Sequence, residues 1–331
     1  IRNNYIKKDF NRIKQIYFKM KFKKPKFWEK NHSKLFPYLL LPISLILKII
    51  RFLNFNLLKK EKKFDIKTIC VGNIYIGGTG KTSLSLKINE ILNKKKIKSC
   101  FIKKDYLNQT DEQKILSNHG KLFLSEKRVS ALKRAISENY EIAIFDDGLQ
   151  DHSIKYDVCF VCFNDINWVG NGFTIPSGPL RENLENLIKY KHVFINGNME
   201  NLDIIKHQIN MINPKIKIHL GKYVPTNIEE FDLSKNYLAF SGIGNHQSFI
   251  KMLKNYNIKI INDIEFPDHY EYSNEEIKKL ISIAKKNSAK IITTEKDLNR
   301  IDVQKFNEIK IIKSKLNVIN EVDFLSAIFE T

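Results

Sequence analysis

The sequence predicts an α/β protein: a parallel sheet wrapped by helices, a second and smaller α/β domain, and an amphipathic helix ahead of both. Three observations predict it. From residue 66 onward, short apolar runs of strand length alternate with longer segments of helical character, the pattern of parallel strands joined by crossover helices. Between the first such strand and the first such helix lies a glycine-rich turn, Gly77-Gly-Thr-Gly-Lys-Thr82. Ahead of the alternation, the thirteen residues Leu35–Leu47 are interrupted by one polar residue, Ser44.

The chain opens basic and polar-aromatic. Met20, followed by Lys-Phe-Lys-Lys-Pro-Lys-Phe-Trp28, reads as a natural start, with residues 1–19 as an upstream extension. The run Leu35–Leu47 is too short to cross a bilayer, which takes about twenty residues of helix. From Pro42 it reads as a helix with a narrow polar stripe (Ser44, Lys48, Arg51) and a broad apolar face. Lysines flank it, Lys21 to Lys34 before and Lys59, Lys60, Lys62 and Lys63 after. That arrangement fits an interfacial helix, its apolar face among acyl chains and its lysines on anionic headgroups. A core helix packed on the domain is the competing reading.

The alternation then runs strand 66–71, helix 82–93, strand 97–102, helix 111–118, strand 121–125, helix 127–138 and strand 141–146. A further set has strands near 192–196, 237–241, 258–262, 290–294 and 309–312, and a helix over 273–286 that Ser273 and Glu276 cap reciprocally. The expected division is a basic extension (1–34), a membrane-docking helix (35–58), a nucleotide-binding domain (59–188) and a second α/β domain (189–331).

The chemistry of the glycine-rich turn makes the third segment nucleotide-binding. Val71-Gly72-Asn73 leads from an apolar strand into Gly77, Gly78, Thr79, Gly80, Lys81 and Thr82, and apolar Leu84, Ile88, Ile91 and Leu92 follow at helical spacing. Glycines let backbone amides curl around the β- and γ-phosphates, a lysine adds charge, and a threonine hydroxyl can hold Mg²⁺. The chain therefore reads as binding ATP or another nucleoside triphosphate. One position departs from the general pattern: Tyr75 stands where the first glycine belongs. Glu141-Ile-Ala-Ile-Phe-Asp146-Asp147-Gly148 is an apolar strand ending in two carboxylates. In a parallel sheet it would bring Asp146 and Asp147 to the phosphate-loop side and complete a Mg²⁺ site with Thr82.

Composition narrows little further. Fifty-six Lys and Arg against thirty-six Asp and Glu give a net charge of +20, which favours anionic partners without choosing among them. No aromatic-basic motif supports nucleic acid. Cys159-Phe-Val-Cys162 has redox spacing but no second Cys/His pair, so a buried strand is the better reading, and the cysteines suit a reducing cytoplasm.

Together these pieces resemble the tetraacyldisaccharide 4′-kinase family, the lipid A 4′-kinases of Gram-negative bacteria. The matching motifs run in family order from Pro25-Lys-Phe-Trp28 through Val71-Gly-Asn73, Gly77–Thr82, Asp146-Asp-Gly-Leu-Gln150, Gly170-Asn-Gly172, Pro176–Glu182 and Phe266-Pro-Asp-His269 to Thr293-Thr-Glu-Lys-Asp297. The resemblance implies transfer of the ATP γ-phosphate to the 4′-hydroxyl of a tetraacylated glucosamine disaccharide 1-phosphate, giving lipid IVA at the cytoplasmic face of the inner membrane. It implies partners of two kinds, the glycolipid and an anionic membrane surface, with no obligate protein partner and no nucleic acid. It also implies residue roles: Asp111 as base with His269 as its partner, Arg128 beside the transferring phosphoryl, and Gln150, Arg181 and Glu182 near the nucleotide. The family's Ser-Arg-Gly-Tyr segment reads Lys103-Lys104-Asp105-Tyr106 here, which keeps charge but loses the arginine fork. The alternative is a membrane-bound P-loop ATPase or GTPase acting as a switch, which would need neither Asp111 with His269 nor the Pro176–Glu182 segment.

Overall fold

The computed structural model describes residues 25–30, 35–58, 61–105, 110–197, 199, 201–298, 300–302 and 305–330. The expected upstream extension, Met20, Tyr106 and most of the basic flank 21–34 lie outside these residues.

Eight strands form the larger sheet, in the order β12-β7-β6-β5-β1-β4-β2-β3. They are β1 (Lys67–Gly72), β2 (Ser99–Lys104), β3 (Leu122–Ser125), β4 (Ile142–Asp146), β5 (Val158–Asn164), β6 (His192–Asn196), β7 (Lys217–Pro225) and β12 (Ser314–Val318). All neighbours pair in parallel except β12 with β7. The central strands are buried on both faces, which is why they read as unbroken apolar runs. Ile69 and Val71 meet Leu84, Ile88 and Phe324 on one side, and Cys70 packs with Ile74, Val161 and Phe163 on the other. The Cys159–Cys162 segment lies within β5, as a strand.

Helices cover this sheet: α2 (Lys81–Lys94), α3 (Thr110–His119), α4 (Arg128–Ser137), α5 (Leu202–Ile212) and the C-terminal α9 (Glu321–Phe329). The smaller sheet has the order β11-β10-β8-β9, from β8 (Asn236–Ser241), β9 (Lys259–Glu265), β10 (Ala289–Thr294) and β11 (Ile309–Ile312). With it go α6 (His246–Asn255), α7 (Asn274–Lys286) and the short α8 (Glu295–Leu298). The Ser273–Glu276 capping box of α7 is present in both directions.

The sheets do not divide at the expected boundary between residues 188 and 189. β6, β7 and β12 all belong to the larger sheet, and the smaller one takes strands from 236–312 alone. The expected boundary falls in a helical turn, Leu184–Lys189, between neighbouring strands of one sheet. Nothing local distinguishes such a turn from a linker.

The first helix, α1 (Leu35–Leu58), lies against the larger unit by its polar stripe. Ser44 is buried, donating to Thr174 O at 3.0 Å and sharing a hydrogen bond with Ser177 Oγ at 2.8 Å, while Arg51 donates to Arg181 O. Ten large apolar side chains on α1, from Leu35 to Leu53, are left 47–67% exposed. The core-helix reading is thereby excluded for the described side chains, since a core helix buries its apolar face. No helix among the described residues is long and apolar enough to cross a membrane.

Candidate active site

β1 lies between β4 and β5, so the chain changes direction across the sheet at β1, and a crevice opens at the strand carboxyl ends there. Val71 is in register with Asp146, which puts the turn after β1 beside the end of β4. The turn from Asn73 to Gly80 is stitched from within. Asn73 Nδ2 donates to Tyr75 O at 2.5 Å and Thr79 Oγ1 at 2.8 Å, and Thr79 N donates to Gly77 O at 2.8 Å. Asn196, at the end of β6, donates to Thr79 O. Gly80 has φ +78°, and a Cβ there would fall 2.5 Å from Asn196 Nδ2. It caps α2 without a side-chain acceptor, so the first-turn amides of α2 carry no side-chain cap. Uncapped amides at a helix N-terminus favour anions.

Tyr75 has a structural reason to replace glycine. It is buried and bridges antiparallel to Leu180, while Ile76 N donates to Pro179 O at 2.8 Å and Arg181 N to Ile74 O at 2.6 Å. The Pro176–Glu182 segment thus runs between the phosphate loop and α1. Trp28 Nε1 donates to Pro176 O at 3.0 Å, and Asn171 Nδ2 to Phe27 O at 2.9 Å, so the motifs near residues 25, 170 and 176 together seat the N-terminal helix.

The two carboxylates at the end of β4 part company, Asp146 within the strand and Asp147 just after it. Asp146 is fully buried and stands at 3.5 Å from Thr82 Oγ1 and 3.3 Å from Ser85 Oγ. Asp147 instead faces Lys81 Nζ at 3.7 Å and Arg181 Nη1 at 2.9 Å. Burial alone would raise its carboxyl, but Lys81 and Arg181 hold it at about 2. Arg128 supports Asp147 through the backbone, donating to Asp147 O at 2.6 Å and to Asp151 Oδ2 at 3.3 Å. Arg181 also donates to Gln150 Oε1 at 3.0 Å, and Gln150 donates to Glu182 Oε1 at 3.0 Å. Lys81, Asp147, Arg181, Gln150 and Glu182 therefore form one polar chain, whose last four members line a cleft of about 1440 Å³. Ser44, Lys48 and Arg51 of α1 also line it, as do Lys104 and Arg128. The polar stripe of the helix faces this cleft and the apolar face points away from it.

Asp111 lies in the first turn of α3, on the larger unit, and His269 follows β9 on the smaller one. Their side chains meet, His269 Nδ1 to Asp111 Oδ2, at 2.7 Å. The hydrogen bond to Asp111 raises the His269 imidazole above its usual value against the effect of burial. Burial would raise Asp111, but His269 and Arg300 hold it far below the usual carboxylate range. The neighbouring residue ties this pair to the phosphate loop: Glu112 accepts from Lys103 Nζ at 2.6 Å, and Lys103 reaches Asp146 Oδ2 at 2.5 Å. Gly78 also abuts the smaller unit, where a Cβ would fall 2.7 Å from Gly244 C.

Sequence reasoning gave no site role to four residues that brace this assembly: Lys103, Glu112, Asp297 and Arg300. Lys103 is only 1% exposed between two carboxylates, although burial normally lowers an ammonium, and Asp146 and Glu112 hold it above the usual lysine range. Its signal was present as a lysine on an apolar strand. Arg300 follows the Thr293–Asp297 motif by three residues but belongs to no motif itself.

Residues 36–330 match the family described as LpxK: Tetraacyldisaccharide-1-P 4'-kinase. The tetraacyldisaccharide 4′-kinase of Pelagibacter ubique (strain HTCC1062) is 58% identical over 305 residues, 91% of this chain and 96% of that protein. This chain belongs to the tetraacyldisaccharide 4′-kinase family. The family member from Rickettsia akari (strain Hartford) is 34% identical over 291 residues, 82% of this chain and 86% of that protein. The fold agrees with a solved structure, "apo" form LpxK from Aquifex aeolicus in complex with ATP. That likeness has a TM-score of 0.62 at 23% identity and covers 88% of this chain and 98% of that one. Within this family fold, Asp146–Gln150 contributes to the cleft lining, Pro25–Trp28 and Gly170–Gly172 hold the N-terminal segment, Pro176–Glu182 does both, and Phe266–His269 brings His269 to Asp111.

Proposed function

We propose that this chain transfers the γ-phosphate of ATP to the 4′-hydroxyl of a tetraacylated glucosamine disaccharide 1-phosphate, forming lipid IVA. The observation that carries the reading is the Asp111–His269 pair, joined through Glu112, Lys103 and Asp146 to the mouth of the phosphate loop. A nucleotide-binding switch has no use for such a pair. A sugar hydroxyl is a poor nucleophile at neutral pH, and a placed carboxylate backed by an imidazole takes its proton as the bond to phosphorus forms.

The loop amides from Gly77 to Thr82 and the Lys81 ammonium cradle the β- and γ-phosphates. Lys81, now paired with Asp147, and Arg181 supply the charge that meets the transferring phosphoryl. Arg128 acts on that site through the Asp147 backbone. Gln150 and Glu182 close the chain toward the acceptor side of the cleft. Hard oxygen donors suit Mg²⁺, and Thr82 with Asp146 offers a hydroxyl 3.5 Å from a carboxylate, while Asp147 is turned to Lys81 and Arg181. The ion, when bound, neutralises charge between the phosphates. Thr82 and Asp146 would hold it, and Lys103 would give up part of its contact with Asp146.

The enzyme works at the cytoplasmic face of the inner membrane, its exposed α1 face among acyl chains. An aqueous surface that leaves ten large apolar side chains uncovered on one helix is expensive, and an anionic bilayer removes that cost. With the apolar face in lipid, the polar stripe directs the headgroup of an embedded glycolipid into the cleft. The test supplies γ-labelled ATP and Mg²⁺ to the protein with vesicles carrying the disaccharide 1-phosphate. Label in the lipid is expected. Release of inorganic phosphate independent of the glycolipid would instead support a switch.

A further inference from the structure

We infer that Arg300 is a positioning residue for the base, fixing which oxygen of Asp111 meets the acceptor hydroxyl and how readily the Asp111–His269 pair takes a proton. The inference rests on the reading of Asp111 as the base.

Arg300 Nη2 donates to Asp111 Oδ2 at 2.5 Å, the same oxygen that His269 Nδ1 engages at 2.7 Å. Among the described residues nothing donates to Asp111 Oδ1, so one oxygen is anchored twice and the other is left for the substrate. The anchor is itself braced. Arg300 is 8% exposed, and its Nη1 donates to Gly242 O at 2.8 Å. His269 N donates to the same carbonyl at 3.0 Å. Gly242 N in turn donates to Asp297 Oδ1 at 2.9 Å, and the fully buried Asp297 also accepts from Tyr272 and Thr294. A single peptide after β8 thus carries both partners of Asp111, with a buried carboxylate behind it. That rigidity matters, because a misplacement of about 1 Å at a reacting group can cost about a hundredfold in rate.

The guanidinium also sets the charge. Around the pair stand Asp111 on α3, Asp268 beside His269 at 3.8 Å, and Arg300 itself, which lies 3.5 Å from His269 Nδ1. Glu112 turns away to Lys103, with Lys296 and Lys81 nearby. Arg300 opposes protonation of the imidazole, so its removal favours the imidazolium and delays, on raising the pH, the form that can accept a proton.

The experiment compares Arg300→Met, Arg300→Lys and wild type, as full chains with glycolipid vesicles. It reads phosphoryl transfer from pH about 6 to 9, ATP affinity, and the His269 imidazole by NMR. In Arg300→Met, kcat is expected to fall about tenfold or more with ATP affinity held within about twofold. Both the acid limb of the rate and the imidazole titration should move to higher pH. Arg300→Lys, which keeps the charge but cannot span Asp111 and Gly242, should restore the titration more than kcat. A loss of rate with neither the limb nor the titration moved would overturn the inference, as would unchanged kinetics. If Arg300→Met does not fold, the split between titration and rate in Arg300→Lys decides. Asp111→Asn runs alongside: if it still transfers phosphate at the wild-type rate, the base assignment has failed, independently of Arg300.

Discussion

Asp111 and His269, 158 residues apart in the chain, meet at 2.7 Å across the gap between the two sheets. One lies at the N-terminal turn of α3 and the other follows β9, so neither sheet alone holds a working pair. The pair is an ion pair only while the imidazole is protonated. Its stabilisation is fully present below the unfolded histidine value, about 6.5, and is lost as the pH rises through the elevated folded value. The His269 imidazole should therefore titrate above its ordinary value in the wild type and fall back in Asp111→Asn, by NMR. A resonance that ignores the substitution would break the pair as described here.

Lys103→Met should destabilise the fold by about 3–5 kcal/mol in urea unfolding, the cost of leaving a buried charge without its partner. Asp146 is fully buried and Lys103 nearly so, which is why the loss should approach that range. A change under about 1 kcal/mol, the scale of an exposed pair, would show that water reaches the carboxylate.

Asp147 gives the acid side of the account. Its carboxyl is held at about 2 against an ordinary 3.8, so its contribution is present above the unfolded value and is lost as the pH falls through about 2. Asp147→Asn should cost about 1–2 kcal/mol at neutral pH, a gap that narrows below pH about 4. An equal gap at both ends, from pH-dependent unfolding curves, would rule out the charge as its source.

On α1, Leu39 and Ile46 are 65% and 57% exposed. Burying one such side chain in an apolar phase is worth about 1.5–3 kcal/mol. Leu39→Glu with Ile46→Glu should then weaken binding to anionic vesicles about a hundredfold or more, measured by flotation, and leave thermal unfolding nearly unchanged. Undiminished flotation would put the lipid contact elsewhere.

The glycine-rich turn, β1 and β4 were legible because their residues are local: a strand, a turn and a helix start within one short stretch, and Val71 to Thr82 carries the chemistry in order. The helices expected over 82–93, 111–118, 127–138 and 273–286 were legible for the same reason, whereas α5, α6, α8 and α9 were given no span. Three strands of the larger sheet were placed wrongly or not at all. β6 looked like the start of a new domain, and β12 at the sheet edge and β7 next to it have mixed burial, which breaks the apolar run that marks the central strands. Lys103 and Arg300 escaped because their partners are distant in sequence, 43 residues to Asp146 and 189 to Asp111. The polar stripe of α1 was visible, but it takes the hydrogen bonds of Ser44 and Arg51 to Thr174, Ser177 and Arg181 to tell which way it faces.

The most direct measurement is a single-turnover reaction of Asp111→Asn with saturating γ-labelled ATP, Mg²⁺ and the disaccharide 1-phosphate in vesicles, beside an ATP-binding isotherm. Label should reach the lipid about a hundred to ten thousand times more slowly than in the wild type, with the ATP dissociation constant unchanged within about twofold. Transfer at the wild-type rate, or a matching loss of nucleotide affinity, would contradict a carboxylate that takes the sugar proton.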